Sequence, residues 1–193
     1  ARSYMRELRR LTGKKRGSLK IVGKSRLPKT GRMLITDIDN TLLGDGKALR
    51  ALMERLHDHS NGIGFGVATG RHLSSTVKVL KKWNIPLPDV LICAVGSEIY
   101  YGPDCRRDYK WVRHLSHRWD PEAIVAAMKN VKGVEAQPSV NQGPYKCSYF
   151  YDSDKFEGFK SLRGMLRKKG INVKMIHSHG QFLDILPVRA SKG

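Results

Sequence analysis

Met33-Leu34-Ile35-Thr36-Asp37-Ile38-Asp39-Asn40-Thr41-Leu42-Leu43 is the stretch that decides the fold. An apolar run ends in two carboxylates one residue apart, and a second apolar run follows. A buried strand excludes unpaired charge, because an ionised carboxylate without a partner costs several kcal/mol or more. Two acids at the mouth of such a strand are therefore expected to be held by a cation or a ligand, and the pair marks a metal and phosphate site.

Working outward, strand and helix signals alternate. Arg32 to Asp37 reads as the first strand. Leu49, Leu52, Met53 and Leu56 lie on one face of a helix. Ile63 to Ala68 is a second strand, Leu73, Val77 and Leu80 mark a second helix, and Asp89 to Val95 is a third strand. Near-continuous apolar strands separated by helices make an α/β fold with a parallel, Rossmann-like sheet core. Ligands bind such sheets beyond the carboxyl ends of the strands. Asp37, Asp39, Thr69 and Gly96 all fall at those ends, an independent reason to group them.

From about Asp104 the pattern changes. Asp120-Pro121-Glu122 is a helix start, Tyr145 to Tyr151 alternates and is rich in aromatics, Phe156 to Leu166 is helical, and Ile171 to Ile176 is a further strand. These form a small inserted α+β module. The domain plan is a basic helix and linker at 1–31, a core at 32–103 and 185–193, and the insert at 104–184. Within the first segment, residues 3 to 12 read as a short amphipathic helix and 14 to 29 as a flexible connector.

The order of three segments carries a resemblance. Asp37-Ile38-Asp39-Asn40-Thr41-Leu42-Leu43, then Gly62 to Arg71 with Thr69 at the strand end, then Leu183-Asp184-Ile185-Leu186-Pro187 with Ala190-Ser191-Lys192-Gly193, resemble the first three motifs of haloacid-dehalogenase-type phosphatases. Val95 to Gly102 and Ser178 to Asp184 are similar to segments of sucrose-phosphate phosphatases, and still more to the phosphatase-like C-terminal region of bacterial sucrose-phosphate synthases. The likeness runs from about Lys24 to Gly193.

The resemblance implies that the insert is a cap that recognises the sugar, and that the activity is Mg²⁺-dependent hydrolysis of a sugar phosphate such as sucrose 6-phosphate. Asp37 would be the nucleophile, forming an aspartyl-phosphate. Asp39 would act as general acid and base. Mg²⁺ would be held by Asp37 and the backbone carbonyl of Asp39. Thr69, with the N–H groups of Gly70 and Arg71, would bind phosphate, and Lys192 would bridge Asp37 and the phosphoryl group. Lys146, His179 and Gln181 would contact sugar hydroxyls. Plainer readings stand beside these: Asp39 in an Asx-turn, Thr69 as a helix N-cap, Lys192 as a solvated terminal residue, the cap residues as one polar strand face. An Asp-x-Asp pair also occurs in metal-dependent glycosyltransferases, but Thr69 and Lys192 following in order favour the phosphatase. His177 and His179 lack a third ligand at metal-binding spacing, so a structural or substrate-contacting role is the expectation.

The resemblance also implies an alternative in which the chain is a binding or regulatory region of a sucrose-phosphate synthase, with an upstream glycosyltransferase domain. Phosphatases of this kind carry a further acidic motif after the lysine segment, and the sequence ends at Gly193. The expectation is a core lacking its C-terminal part, and weak or no activity for this chain alone.

Composition bounds the remaining classes. The net charge is +19 over 193 residues, but residues 1 to 32 hold twelve Lys or Arg against the single acid Glu7. That leaves +8 for the other 161 residues. So uneven a distribution argues for a solvated linker or interdomain contact over a nucleic-acid reader, and the remaining excess suits an anionic sugar phosphate. Cys93, Cys105 and Cys147 are odd in number and widely spaced, which argues against a disulfide framework or a zinc site. No apolar run is long enough to span a membrane and no signal peptide is visible, so a cytoplasmic location is the default expectation.

Overall fold

The computed structural model describes residues 31–59 and 62–190. The expected helix at 3 to 12, the connector after it, and Ser191, Lys192 and Gly193 lie outside the described residues. The chain divides into two units, one up to Asp108 and a second over Tyr109–Ser191.

In the first unit, strands β1 (Arg32–Thr36), β2 (Ile63–Ala68) and β3 (Val90–Cys93) run parallel. Helix α1 (Gly46–Asp58) connects β1 to β2, and α2 (Leu73–Lys82) connects β2 to β3. Each helix begins where a side chain satisfies its free N–H groups. Asp45 accepts from Lys47 and Ala48 at 2.8 and 3.1 Å. His72 Nδ1 accepts from the Ser75 N–H at 3.2 Å. Leu49, Leu73, Val77 and Leu80 pack with Ile38, Leu42, Val67 and Leu91 into one core, as the helical spacing requires.

Two departures from the sequence reading follow from the third strand. It ends at Cys93, short of Val95, because Ala94, Val95 and Gly96 take left-handed φ values of 49°, 59° and 85° and reverse the chain. The segment after them forms β4 (Glu98–Tyr101), antiparallel to β3, and β5 (Arg106–Arg107) extends the sheet in the order β1-β2-β3-β4-β5. The sheet is thus mainly parallel with an antiparallel margin. β1, expected to be fully buried, leaves Leu34 36% and Ile35 46% exposed. Among the described residues it has only β2 beside it.

The second unit is an antiparallel sheet of β6 (Val134–Ala136), β7 (Cys147–Tyr151), β9 (Phe182–Pro187) and β8 (Val173–Ser178), in that spatial order. It carries helices α3 (Tyr109–Ser116), α4 (Pro121–Met128) and α5 (Phe159–Lys168). Pro121 opens α4 and Asp120 accepts from the Ala123 N–H at 2.9 Å, the start the sequence signals. Alternate residues of the sheet, Cys147, Tyr149, Leu183 and Ile185, pack on Ile124, Leu162 and Leu166. Ile185 to Pro187, read from the sequence as returning to the first unit, remain paired in this sheet: Ile185 lies opposite both Cys147 and Met175, and Pro187 opposite Val173. The strand simply runs on through its alternating pattern. Gly133 shows a local constraint here. Its φ is +74° and a Cβ would stand 2.8 Å from the backbone of Lys155 and Phe156, so only glycine fits without a shift.

Candidate active site

The loop after β1 turns sharply. Leu42 N–H donates to the Asp37 carbonyl at 3.3 Å and Leu43 N–H to the Ile38 carbonyl at 3.0 Å, with Asn40 at φ 56°. Ile38 is fully buried between the two acids and anchors the loop, while Asp37 is half-buried and Asp39 exposed. Ile38 thus turns inward, and the two acids flank it on the loop.

The end of β2 comes alongside, since β1 and β2 pair in parallel register with Thr36 opposite Val67. Thr69 is fully buried, its N–H donating to the Ile92 carbonyl at 2.8 Å. Its hydroxyl oxygen accepts from the Arg71 N–H at 3.1 Å. The helix N-cap is His72, not Thr69, so the plainer reading of Thr69 does not describe it. The Arg71 N–H expected to meet phosphate is the one bound to Thr69. What Arg71 brings to the site is its side chain: Nε donates to Asp39 Oδ2 at 2.9 Å and Nη2 to Asp39 Oδ1 at 2.7 Å. These bonds raise the guanidinium pKa. Nη1 donates in turn to Ser75 Oγ on α2 at 3.1 Å.

The left-handed turn at Ala94 and Val95 supports this loop. Ala94 N–H donates to the Arg71 carbonyl at 2.8 Å and Val95 N–H to the Thr69 carbonyl at 3.1 Å. Positive φ in a β-branched residue such as Val95 costs on the order of 1–3 kcal/mol and persists only where its surroundings enforce it. Here it fixes the backbone of Thr69 to Arg71 on both sides.

Asp37, Asp39 and Thr69 to Arg71 thus lie at the carboxyl ends of the neighbouring strands β1 and β2, whereas Gly96, grouped with them from the sequence, sits in the left-handed turn after β3. The two acids supply the hard oxygen donors Mg²⁺ takes. Among the described residues no group of three or more His, Cys, Asp or Glu could hold a metal ion. The two oxygen donors fit part of the shell of a Mg²⁺ ion. Lys192 lies outside the described residues.

The expected cap residues are not brought together. Lys146 immediately precedes β7, whereas Gln181 meets the far end of that strand, its carbonyl accepting from the Tyr151 N–H at 2.9 Å. Five residues of strand separate the two positions by roughly 17 Å. Lys146 is 8% exposed. Its ammonium donates to Ser148 Oγ at 2.7 Å and lies 3.3 Å from Asp184 Oδ1. Ser148 Oγ donates to the same carboxylate oxygen at 2.6 Å. Sequence reading missed the part played by Ser148 and Asp184. The signal was available, because Asp184 interrupts the apolar run of β9 just as Asp37 ends that of β1. His177 stacks on Phe159 with centroids 4.5 Å apart, and exposed His179 meets Phe182 edge-on at 5.8 Å. His114 stacks on Trp111 at 5.2 Å.

Comparison with known proteins adds to this geometry. A family model described as sucrose-6F-phosphate phosphohydrolase matches residues 30–193. The chain is 32% identical over 169 residues to a probable sucrose-phosphatase 2 of Arabidopsis thaliana, covering 83% of this chain and 40% of that protein. The match thus spans about two fifths of the length of such curated relatives. It is similar to the crystal structure of the sucrose-phosphatase of Synechocystis sp. PCC6803 in complex with sucrose and phosphate, with a TM-score of 0.76 and 34% identity over 85% of this chain and 67% of that one. A probable sucrose-phosphate synthase 1 of Oryza sativa subsp. indica is 28% identical over 147 residues, 67% of this chain and 14% of that protein.

Proposed function

The chain belongs to the sucrose-6F-phosphate phosphohydrolase family, and from that premise we propose that it carries the site of a Mg²⁺-dependent sugar-phosphate phosphatase whose substrate is sucrose 6-phosphate. The observation that carries this reading is the two-point contact of Asp39 with Arg71, which sets the loop after β1 beside Thr69 to Arg71 at the end of β2.

In this reading an Asp37 carboxylate oxygen attacks phosphorus while the bond from phosphorus to the sugar oxygen breaks. Asp39, protonated, gives its proton to the departing alkoxide. Asp39 then takes a proton from water as the water oxygen attacks the aspartyl-phosphate, which frees inorganic phosphate and restores Asp37. When bound, Mg²⁺ would neutralise charge on the phosphoryl oxygens, with Asp37 and the Asp39 backbone carbonyl as its protein ligands. Gly70 at the exposed loop tip and the Thr69 hydroxyl would hold the phosphate, and Lys192 would complete the positive side. His179 and Gln181, both exposed in the turn between β8 and β9, are the sugar contacts this reading keeps. Lys146 would reach a hydroxyl only by exchanging a partner it already has. A cytoplasmic location accompanies the reading, and among the described residues no helix is long and apolar enough to cross a membrane.

A second reading is favoured by the rice relative: the same fold serves as a binding region attached to an upstream glycosyltransferase domain of a sucrose-phosphate synthase. One assay separates the two. Phosphate release from sucrose 6-phosphate with Mg²⁺ is expected from a version extended to the relatives' length, with little or none from the chain alone, and it falls at least about 10³-fold in Asp37→Asn of the extended version. Binding of sucrose 6-phosphate with no release from either version would contradict the phosphatase and leave the binding region.

A further inference from the structure

We propose that Arg71 is a positioning residue that fixes the orientation of the Asp39 carboxylate for its proton transfers, an inference that rests on the phosphatase reading of the site. Two N–H groups on one edge of the planar guanidinium meet the two oxygens of Asp39, at 2.9 and 2.7 Å. A two-point contact of this kind sets both the direction and the rotation of a carboxylate, which a single hydrogen bond does not.

The clamp is itself held. Nη1 is bonded to Ser75 on the first turn of α2, and the Arg71 backbone is pinned by Thr69 Oγ1 on its N–H and by Ala94 on its carbonyl. Asp39 stands on an exposed loop that reverses at Asn40. Arg71 thereby transmits the rigidity of α2 and the left-handed turn to the one carboxylate whose job is geometric. Lysine could supply the charge, but not the planar fork.

The test is leaving-group dependence. With Mg²⁺ present, Arg71→Gln is expected to lower kcat for sucrose 6-phosphate by about 10- to 100-fold while KM stays within about threefold, the signature of lost proton-transfer geometry. p-Nitrophenyl phosphate has a leaving group that needs no proton. Its first-turnover release of nitrophenolate should therefore stay within about threefold of wild type, while its steady-state rate falls because the water step still needs Asp39. Arg71→Lys should recover only part of the loss. Arg71→Gln added to Asp39→Asn should do no further harm.

A rise in KM at constant kcat, or a first-turnover burst that falls as far as the steady state, would overturn the proposal in favour of direct substrate holding. The Arg71 Nε–Hε resonance supplies a readout independent of turnover. It is expected to exchange slowly with water and to move in Asp39→Asn, and an unmoved signal overturns the clamp. These rates are read in the version extended to the relatives' length; should its wild type release no nitrophenolate while this signal moves, the phosphatase reading and the catalytic role fall together and the contact alone survives.

Discussion

Lys146 shows what a single side chain can hide from a sequence. Its neighbours, Tyr145 and Cys147 to Tyr151, read as a polar and aromatic strand on which a lysine offers itself to a ligand. In the fold its ammonium is enclosed between Ser148 and Asp184. A buried charge stripped of its partner is costly, on the order of 3–5 kcal/mol, whereas removing both partners together costs much less. Asp184→Ala is therefore expected to lower stability by about that amount, and Asp184→Leu combined with Lys146→Met to recover most of it. Chemical denaturation of the three proteins decides the matter. Equal stability of wild type and Asp184→Ala would mean that Lys146 is held by something other than this pair. The same logic of a carboxylate interrupting an apolar strand singled out Asp37 and Asp39 and passed over Asp184. The difference is only that Asp184 lies within its strand, opposite Ser148, and not at its end.

The elements were legible to differing depth. Helices α1, α2 and α4 carry their apolar spacing in sequence and form where it stands, but only the start of α4 was read correctly, since α2 is capped by His72 and not by Thr69. The end of β3 was not legible. Nothing in Ala94-Val95 announces left-handed backbone, and it is the pairing with Thr69 and Arg71 that enforces it. For the same reason β4 went unread, since its direction depends on that turn. The apolar strand interiors carry a measurable consequence of burial. Loss of solvent pushes the Cys93 thiol on β3 up to about 12 and the Cys147 thiol on β7 up to about 11, from an ordinary 9.0. Burial likewise raises the Tyr149 hydroxyl from 10.0 to about 12. Each group is neutral in the fold where the unfolded chain would ionise it. Their contribution to stability is thus whole below about pH 9 and is lost as pH rises towards 11 to 12. Denaturant midpoints are expected to fall across that window, and both thiols to resist alkylation at neutral pH until the chain unfolds. A midpoint flat from pH 8.5 to 10.5, or rapid alkylation of the native chain, would contradict this.

For the whole molecule, the +19 charge was the feature most apt to mislead, and the order of three short motifs was the better guide. The family match over residues 30–193 agrees with that order. The boundaries between the two units differ from the sequence plan at both ends: β5 at Arg106–Arg107 stays in the first sheet, so that the second unit begins at Tyr109 and not at 104, and β9 stays in the second sheet through Pro187. The site itself draws on residues more than thirty positions apart, Asp39 and Arg71, whose side-chain contact no local pattern discloses. The central claim is that this assembly transfers a phosphoryl group to Asp37. Its most direct test is to quench the version extended to the relatives' length in acid during turnover of sucrose 6-phosphate with Mg²⁺ and map the products by mass spectrometry. The account predicts one hydroxylamine-labile phosphoryl group on the peptide containing Asp37, absent from Asp37→Asn. Phosphate release undiminished in Asp37→Asn, or a phosphoryl group carried by any other residue, would contradict it.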